Sequence, residues 1–314
     1  MGPNHASGSG SQSSDAVATT FKRLHPKAYL SRFLDDAIRE DGRRLTSFRD
    51  TTVLLGSIST ADGSAFIRIG NTSCVAAVKA EVAVPQLSRP GEGYLIPNVE
   101  LPAVCSSRFK PGAPGTEAQI LTDRLLGFLN SSNVLDRQQL CIEPGRAAWC
   151  LYLDISFICF DGNAIDAAVL AAMSALSDTR LPTAVFDPDL ESTRCSADKA
   201  RLQSLKLERL SLCASFGIFD GVHLLSDPTA FETAFLSSHL SIGIQTAAVE
   251  VDSEAEQEEP SRLSYLWQSG SSTTSKHNDS ARVSDQTNLQ TCMELARQRC
   301  QYLRTLLLQA KHAA

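Results

Sequence analysis

The chain has 314 residues, 43% of them hydrophobic, with a formal net charge of −6. That length allows one large domain or two ordinary ones, and no apolar run reaches the roughly 18 residues of a membrane span. The negative charge has the wrong sign for a protein that grips nucleic acid unaided, because neutralised phosphates supply most non-specific affinity.

The first twenty residues, MGPNHASGSGSQSSDAVATT, lack the apolar core of a secretory signal. GPNHASGSGS reads as a cloning remnant, so 1–20 is expected to be a disordered leader outside the fold. Residues 21–50 then carry eight Lys or Arg against five acids, so any contact with RNA is local. HPKAYLSRFLDDAIRE (25–40) spaces Tyr29, Phe33, Leu34 and Ile38 as a helix does, and EDGRR breaks it. TTVLLGSIST and GSAFIRIGNTSCVAAVKAEVAVP predict three strands joined by tight turns, and QLSRPGEGYLIPNVELP predicts a long loop. The periodicity of 115–132 predicts a helix with Ile120, Leu121, Leu125, Phe128 and Leu129 on one face. QQLCIEPGRAAWCLYLDISFICFDGN predicts two strands about a PGR turn, followed by an Ala-rich helix, AIDAAVLAAMSALSD.

The second half repeats the plan more loosely. LSLCASFGIFDGVHLLSD predicts a hairpin turning at Asp220-Gly221, and SSHLSIGIQTAAVEV a further strand. Residues 252–285 are acidic and then Ser-rich, which predicts a mobile insertion; EVDSEAEQEE alone holds six acids in ten residues. Leu295, Leu303, Leu306 and Leu307 mark a terminal helix. The expected organisation is a first half over 21–195 and a second over 196–314. In both, sheets have one face covered by helices.

Nine scattered cysteines with no CxxC pair argue against a disulfide framework and against zinc. Cys150 and Cys159 sit in apolar runs and are expected to be small buried hydrophobes. The compartment is expected to be reducing. The six His have no metal spacing, and DGSAFIRIG lacks the GxGxxG of a dinucleotide loop; no cofactor and no metal are expected.

Several long segments carry a resemblance. DGRRLTSFRDTTVLLGSISTADGSAFIRIGNTSCVAAVKAEVAVP, GYLIPNVELPAVCSSRFKPGAPGTEAQI and DISFICFDGNAIDAAVLAAMSAL are together similar to RNase PH. They are closer still to the RNase PH-like ring subunits of the RNA exosome. The similarity spans about 25–245 and the terminal helix, but not the acidic insertion. It implies an α/β (α+β), RNase PH-like fold of two βαββα halves, of the ribosomal protein S5 domain 2-like type. It further implies a heterodimer within a six-membered ring, single-stranded RNA in the channel, S1-domain cap proteins on one face and a hydrolytic nuclease on the other. Residence in nucleus, nucleolus and cytoplasm follows from the same resemblance, and no membrane is involved.

Active relatives use phosphate to cleave RNA from its 3′ end, with a Gly-Thr-Arg-type stretch after an Asp-Gly turn to gather the phosphate. Here the matching residues are Asp161-Gly162-Asn163-Ala164-Ile165-Asp166. Thr and Arg are gone and a carboxylate is added. Two like charges ~4 Å apart cost about 4 kcal/mol at an effective dielectric near 20, against ~1–2 kcal/mol gained from a helix N-terminus. Asp154 matches a family aspartate, but Ser156, read as the next inward-facing position, stands where active members tend to carry another acid. Asp154, Asp161 and Asp166 are therefore read as remnants of a site, with Asp161 capping its turn and Asp166 in a structural or interface contact. The resemblance puts Arg108 and Lys110 near the pore, facing RNA or a partner, and the alternative is a solvated loop. Arg43 and Arg44 are open to the same two readings. The DPTAFETA stretch (227–234) resembles a family turn whose acids are structural. The leading expectation is a non-catalytic ring subunit. A composite phosphorolytic 3′-to-5′ exoribonuclease completed by a partner is the alternative, and an adaptor outside any ring is the third.

Overall fold

The computed structural model describes residues 18–196, 202–247, 262–270 and 280–313. The tag-like segment therefore lies outside the described residues except for its last three. Helix α1 (Pro26–Asp35) starts at a proline, whose fixed φ suits a first turn, and ends before Ala37 at φ +56°. Strands β1 (Thr51–Leu55), β2 (Gly63–Ile69), β3 (Thr72–Ala83), β4 (Tyr94–Glu100), β5 (Cys141–Glu143) and β6 (Ala147–Cys159) form the first sheet. Its order is β1-β2-β3-β6-β4, with β5 also paired to β6. All its pairs are antiparallel except β4 with β6. Helices α2 (Thr116–Ser132) and α3 (Ala164–Asp178) belong to this half.

Two small ribbons follow: β7 (Arg180–Pro182) pairs with β10 (Leu202–Ser204), and β8 (Ala184–Asp187) with β9 (Ser192–Cys195). The second sheet contains β11 (Arg209–Phe219), β12 (His223–Ser226), β13 (Ser238–Ala247) and β14 (Arg262–Gly270), in the order β12-β11-β13-β14, all antiparallel. One turn of helix, α4 (Ala230–Thr233), and the long α5 (Ser280–Ala313) complete it.

Three expectations change. The long loop after β3 holds strand β4, Pro97 included; β4 is an edge strand, where a missing N–H costs no ladder bond. The acidic and Ser-rich stretch is interrupted by β14, in which Tyr265 and Trp267 alternate toward partners on α2. The rest of 252–285 lies outside the described residues up to Ser280, where α5 has already begun. Lastly, the helices that cover one face of each sheet are shared between the two sheets. Helix α3 packs on β2 and β3 and also on β11, and every residue from Ile165 to Ser177 is buried. A helix buried all round requires partners all round, and its alanines let both sheets approach. Helices α2 and α5 likewise touch both sheets, so one hydrophobic core runs through the two halves.

Candidate functional site

The turn from β6 into α3 lies where the halves meet. Gly162 has φ +77° and Asn163 φ +51°. A Cβ on Gly162 would stand 2.5 Å from the Ala230 nitrogen and 2.8 Å from the Pro228 carbonyl oxygen, so only glycine fits against the 227–234 turn. The Asp161 N–H donates to Thr72 Oγ1 at 3.1 Å, and Arg49 Nη1 donates to the Asp161 carbonyl at 2.8 Å. The Asp161 carboxylate is partly exposed, 3.6 Å from Arg49 Nη1, and accepts from Asn71 Nδ2 at 3.4 Å.

Asp166 lies in the first turn of α3 and is buried. Its Oδ2 accepts from the Ser215 N–H and from Asn163 Nδ2, both at 2.8 Å, and its Oδ1 accepts from Ser215 Oγ at 2.6 Å. Burial pushes its pKa up to about 6, although these hydrogen bonds favour the anion. It is bound to β11 of the same chain.

Asp227 is the centre of the arrangement. It is fully buried at φ +50°. Arg49 donates to it through Nε (2.8 Å), Nη2 (2.8 Å) and its backbone N–H (3.0 Å), and Asn163 Nδ2 adds a bond of 2.6 Å. Burial alone would raise this carboxyl; the Arg49 guanidinium prevails and holds it well below the usual carboxylate range. Beneath it, fully buried Arg39 pairs with Glu232, its Nε donating to Oε1 at 2.8 Å, and bonds the carbonyls of Ser226 and Asp227. Glu232 closes a capping box with Thr229 at α4. From α5, Arg299 donates to Thr51 Oγ1 (2.6 Å) and the Arg49 carbonyl (3.3 Å).

The expected residues distribute unevenly. Asp161 and Asp166 flank the α3 start, but Asp154 does not join them. It lies on the outer face of the first sheet, accepting from Asn98 Nδ2 at 3.1 Å. Ser156 shares that outer face, and Leu153, Ile155 and Phe157 point inward, which corrects the inward reading of Ser156. Arg43 is tied to Asp41, to the Ser47 carbonyl and, at 3.5 Å, to Asp227; Arg44 is exposed. Arg108 pairs with Glu117 at 2.9 Å and Lys110 is exposed. Arg49 and Arg39 were not singled out in sequence, and Asn163 was named only as part of the turn; single polar residues in a loop or turn carry no periodic signal.

A cleft of about 250 Å³ opens beside the α3 start, walled by Phe160, Ile165, Phe216, Leu240 and Trp267. Arg124 of α2 reaches it but stacks on Trp267, 3.6 Å from the ring centroid, and donates to Ser241 Oγ at 2.9 Å. Among the described residues no group of three or more His, Cys, Asp or Glu side chains converges to hold a metal, and no helix is long and apolar enough to cross a membrane.

Residues 47–182 match the model of the 3′ exoribonuclease family, domain 1 (RNase PH). The exosome complex component rrp43 of Schizosaccharomyces pombe is 41% identical over 227 residues, 72% of this chain and 83% of the relative. The chain belongs to the RNase PH family of exosome components. Within it, the exosome complex component Rrp42 of Methanothermobacter thermautotrophicus is 35% identical over 206 residues, 66% of this chain and 74% of the relative. Among solved structures, a chain of the Archaeoglobus fulgidus exosome with RNA bound to the active site superposes with a TM-score of 0.68 at 25% identity, covering 89% of this chain and 96% of that one. An archaeal exosome core chain, 22% identical with a TM-score of 0.66, matches in fold. The RNase PH-like fold is therefore the fold of this family member.

Proposed function

We propose that this RNase PH-family member works in the exosome ring as a subunit without a phosphorolytic site of its own. The ring role is supported by the relatives' identities as exosome components. The loss of catalysis is supported by one observation: Arg49, the buried cation nearest the α3 start, is saturated by Asp227 and by the carbonyls of Asp161 and Gly162. An incoming phosphate dianion would compete with three carboxylates already in place, Asp161, Asp166 and Asp227. The helix start adds only ~1–2 kcal/mol of attraction. On this reading the chain pairs with another RNase PH-like subunit in a six-membered ring and forms part of the channel for single-stranded RNA. S1-domain cap proteins and a hydrolytic nuclease bind the ring's two faces. It serves 3′-to-5′ processing and decay, including rRNA maturation and mRNA turnover, in nucleus, nucleolus and cytoplasm.

The test is phosphate-dependent shortening of a 3′-tailed single-stranded RNA by the chain alone and by a reconstituted ring lacking the hydrolytic subunit. The chain alone releases no nucleoside diphosphate, and Asp161→Asn leaves the ring's rate unchanged. A fall of orders of magnitude with Asp161→Asn, in a ring that still assembles, would establish the composite enzyme instead.

A further inference from the structure

Cys159 was expected inside the core, yet it is exposed. The cause is a register shift: Cys74 pairs with Phe157, but its neighbour Ser73 pairs with Cys159, so one residue of β6 is extra. A bulge of this kind reverses the alternation beyond it. Phe157 points inward as parity requires, and Cys159, two residues on, emerges with Ser73 and Arg68 on the outer face.

There it meets a second thiol. An open cleft of about 600 Å³ is lined by Phe66, Arg68, Ser73, Asp161 and both Cys105 and Cys159. Cys105 belongs to the stretch between β4 and α2 and is 8% exposed. The backbones of the two cysteines are held one hydrogen bond apart, because the N–H of Phe160, which follows Cys159, donates to the Cys105 carbonyl at 3.1 Å. Each Cα lies roughly 2.4 Å from its end of that bond, so the Cα atoms are within ~8 Å at fullest stretch and closer along a bent path; disulfides need ~4.4–6.8 Å. The Phe109 and Phe160 rings, 5.3 Å apart edge to face, clamp the same two segments. Burial raises the Cys105 thiol above its ordinary value and the neighbouring Cys159 sulfur pushes it the same way.

We propose that Cys105 and Cys159 form a peroxide-sensitive thiol pair, closing to an intramolecular disulfide across this cleft. Exposed Cys159 reacts first. Its thiolate attacks one oxygen of hydrogen peroxide, the O–O bond breaks, and the departing hydroxide takes up a proton, leaving a sulfenic acid and water. Cys105 then attacks the Cys159 sulfur; the S–S bond forms, the S–O bond breaks, and a second water leaves. Two thiols have lost two electrons and two protons, and one peroxide has become two waters. The bridge pins the stretch bearing Arg108 and Lys110 to the Asp161 turn, adding a covalent link beside the Phe160–Cys105 backbone hydrogen bond and the Phe109–Phe160 ring contact. A dithiol reductant reverses it.

The experiment uses the chain in its reconstituted ring. Samples are exposed to graded hydrogen peroxide, quenched with N-ethylmaleimide, digested and mapped by mass spectrometry without reduction. The dominant cross-link joins the Cys105 and Cys159 peptides and disappears with dithiothreitol. Cys159→Ser abolishes it, and Cys105→Ser leaves a sulfenic acid at Cys159 that dimedone traps. Cys105 remaining fully alkylatable after Cys159 has oxidised would overturn the pairing. So would an equal yield in urea, since the bulge and the Phe160 hydrogen bond would then have no part in it.

Discussion

Asp166 is buried as a carboxylate in a place that favours its acid form. Its pKa is raised to about 6 from an ordinary value of 3.8. The folded state therefore binds this proton more tightly than the unfolded chain does. The stability it contributes is complete below about pH 4 and is lost as pH rises through about 6, a change of about 3 kcal/mol by linkage. Asp227, held low by Arg49, has the opposite sign: its contribution is present above its unfolded pKa and is lost as pH falls toward its depressed folded value. Asp166→Asn keeps an acceptor for Ser215 and removes the titration. Urea midpoints measured between pH 4 and 7 should fall with pH less steeply in the variant than in the native chain. Parallel slopes would mean that Asp166 stays ionised throughout. Sequence reading found Asp166 by its place after the turn, and could not find Ser215, 49 residues away on β11, which explains its burial.

Elements defined by period were legible, and those defined by partners were not. The spacing over 115–132 and 164–178 matches α2 and α3 to within a residue. Strand β4 was hidden by Pro97, because the penalty for proline depends on which strand lies alongside, and sequence does not show that. Strand β14 was hidden within a polar, Ser-rich context, its only local signal being the alternation of Tyr265 and Trp267. The β6 bulge, one residue long, misled the inside-outside parity of Cys159. The turn before α3 admits only glycine at position 162, and that strictness is testable. Gly162→Ala must hold φ near +77° and fit a methyl group 2.5 Å from the Ala230 nitrogen. Strain and overpacking together predict a loss of ~2–4 kcal/mol, read as a lowered melting temperature with the ring interface intact. A variant melting like the native chain would show that the 227–234 turn yields easily.

At the scale of the whole molecule, the halves are joined by buried charge as well as by apolar packing. Arg49 and Asp227 are 178 positions apart, and Arg39 and Glu232 are 193 apart. Removing one partner of such a pair strands the other in a poor solvent for ions, at a cost of ~3–5 kcal/mol. Arg49→Met should therefore destabilise the chain by about that amount in urea unfolding, and adding Asp227→Asn should recover part of the loss. An additive double variant would mean that the two charges act separately. Sequence pattern indicated two similar halves; it did not reveal that they share a core, because α3 is buried on every side for reasons that only the second sheet supplies.

The long reach of these contacts bears on how the protein is made. When the ribosome has released the first sheet, Arg49 still lacks its carboxylate and α3 has one flank bare, since β11 and the turn at Asp227 are not yet synthesised. Arg299, which fastens Thr51 and the Arg49 carbonyl from α5, emerges last. The early half cannot mature by itself and pass on a finished domain. A nascent chain paused between the halves presents an apolar helix and an unpaired guanidinium to solvent, the kind of surface that chaperones retain and quality-control proteases destroy.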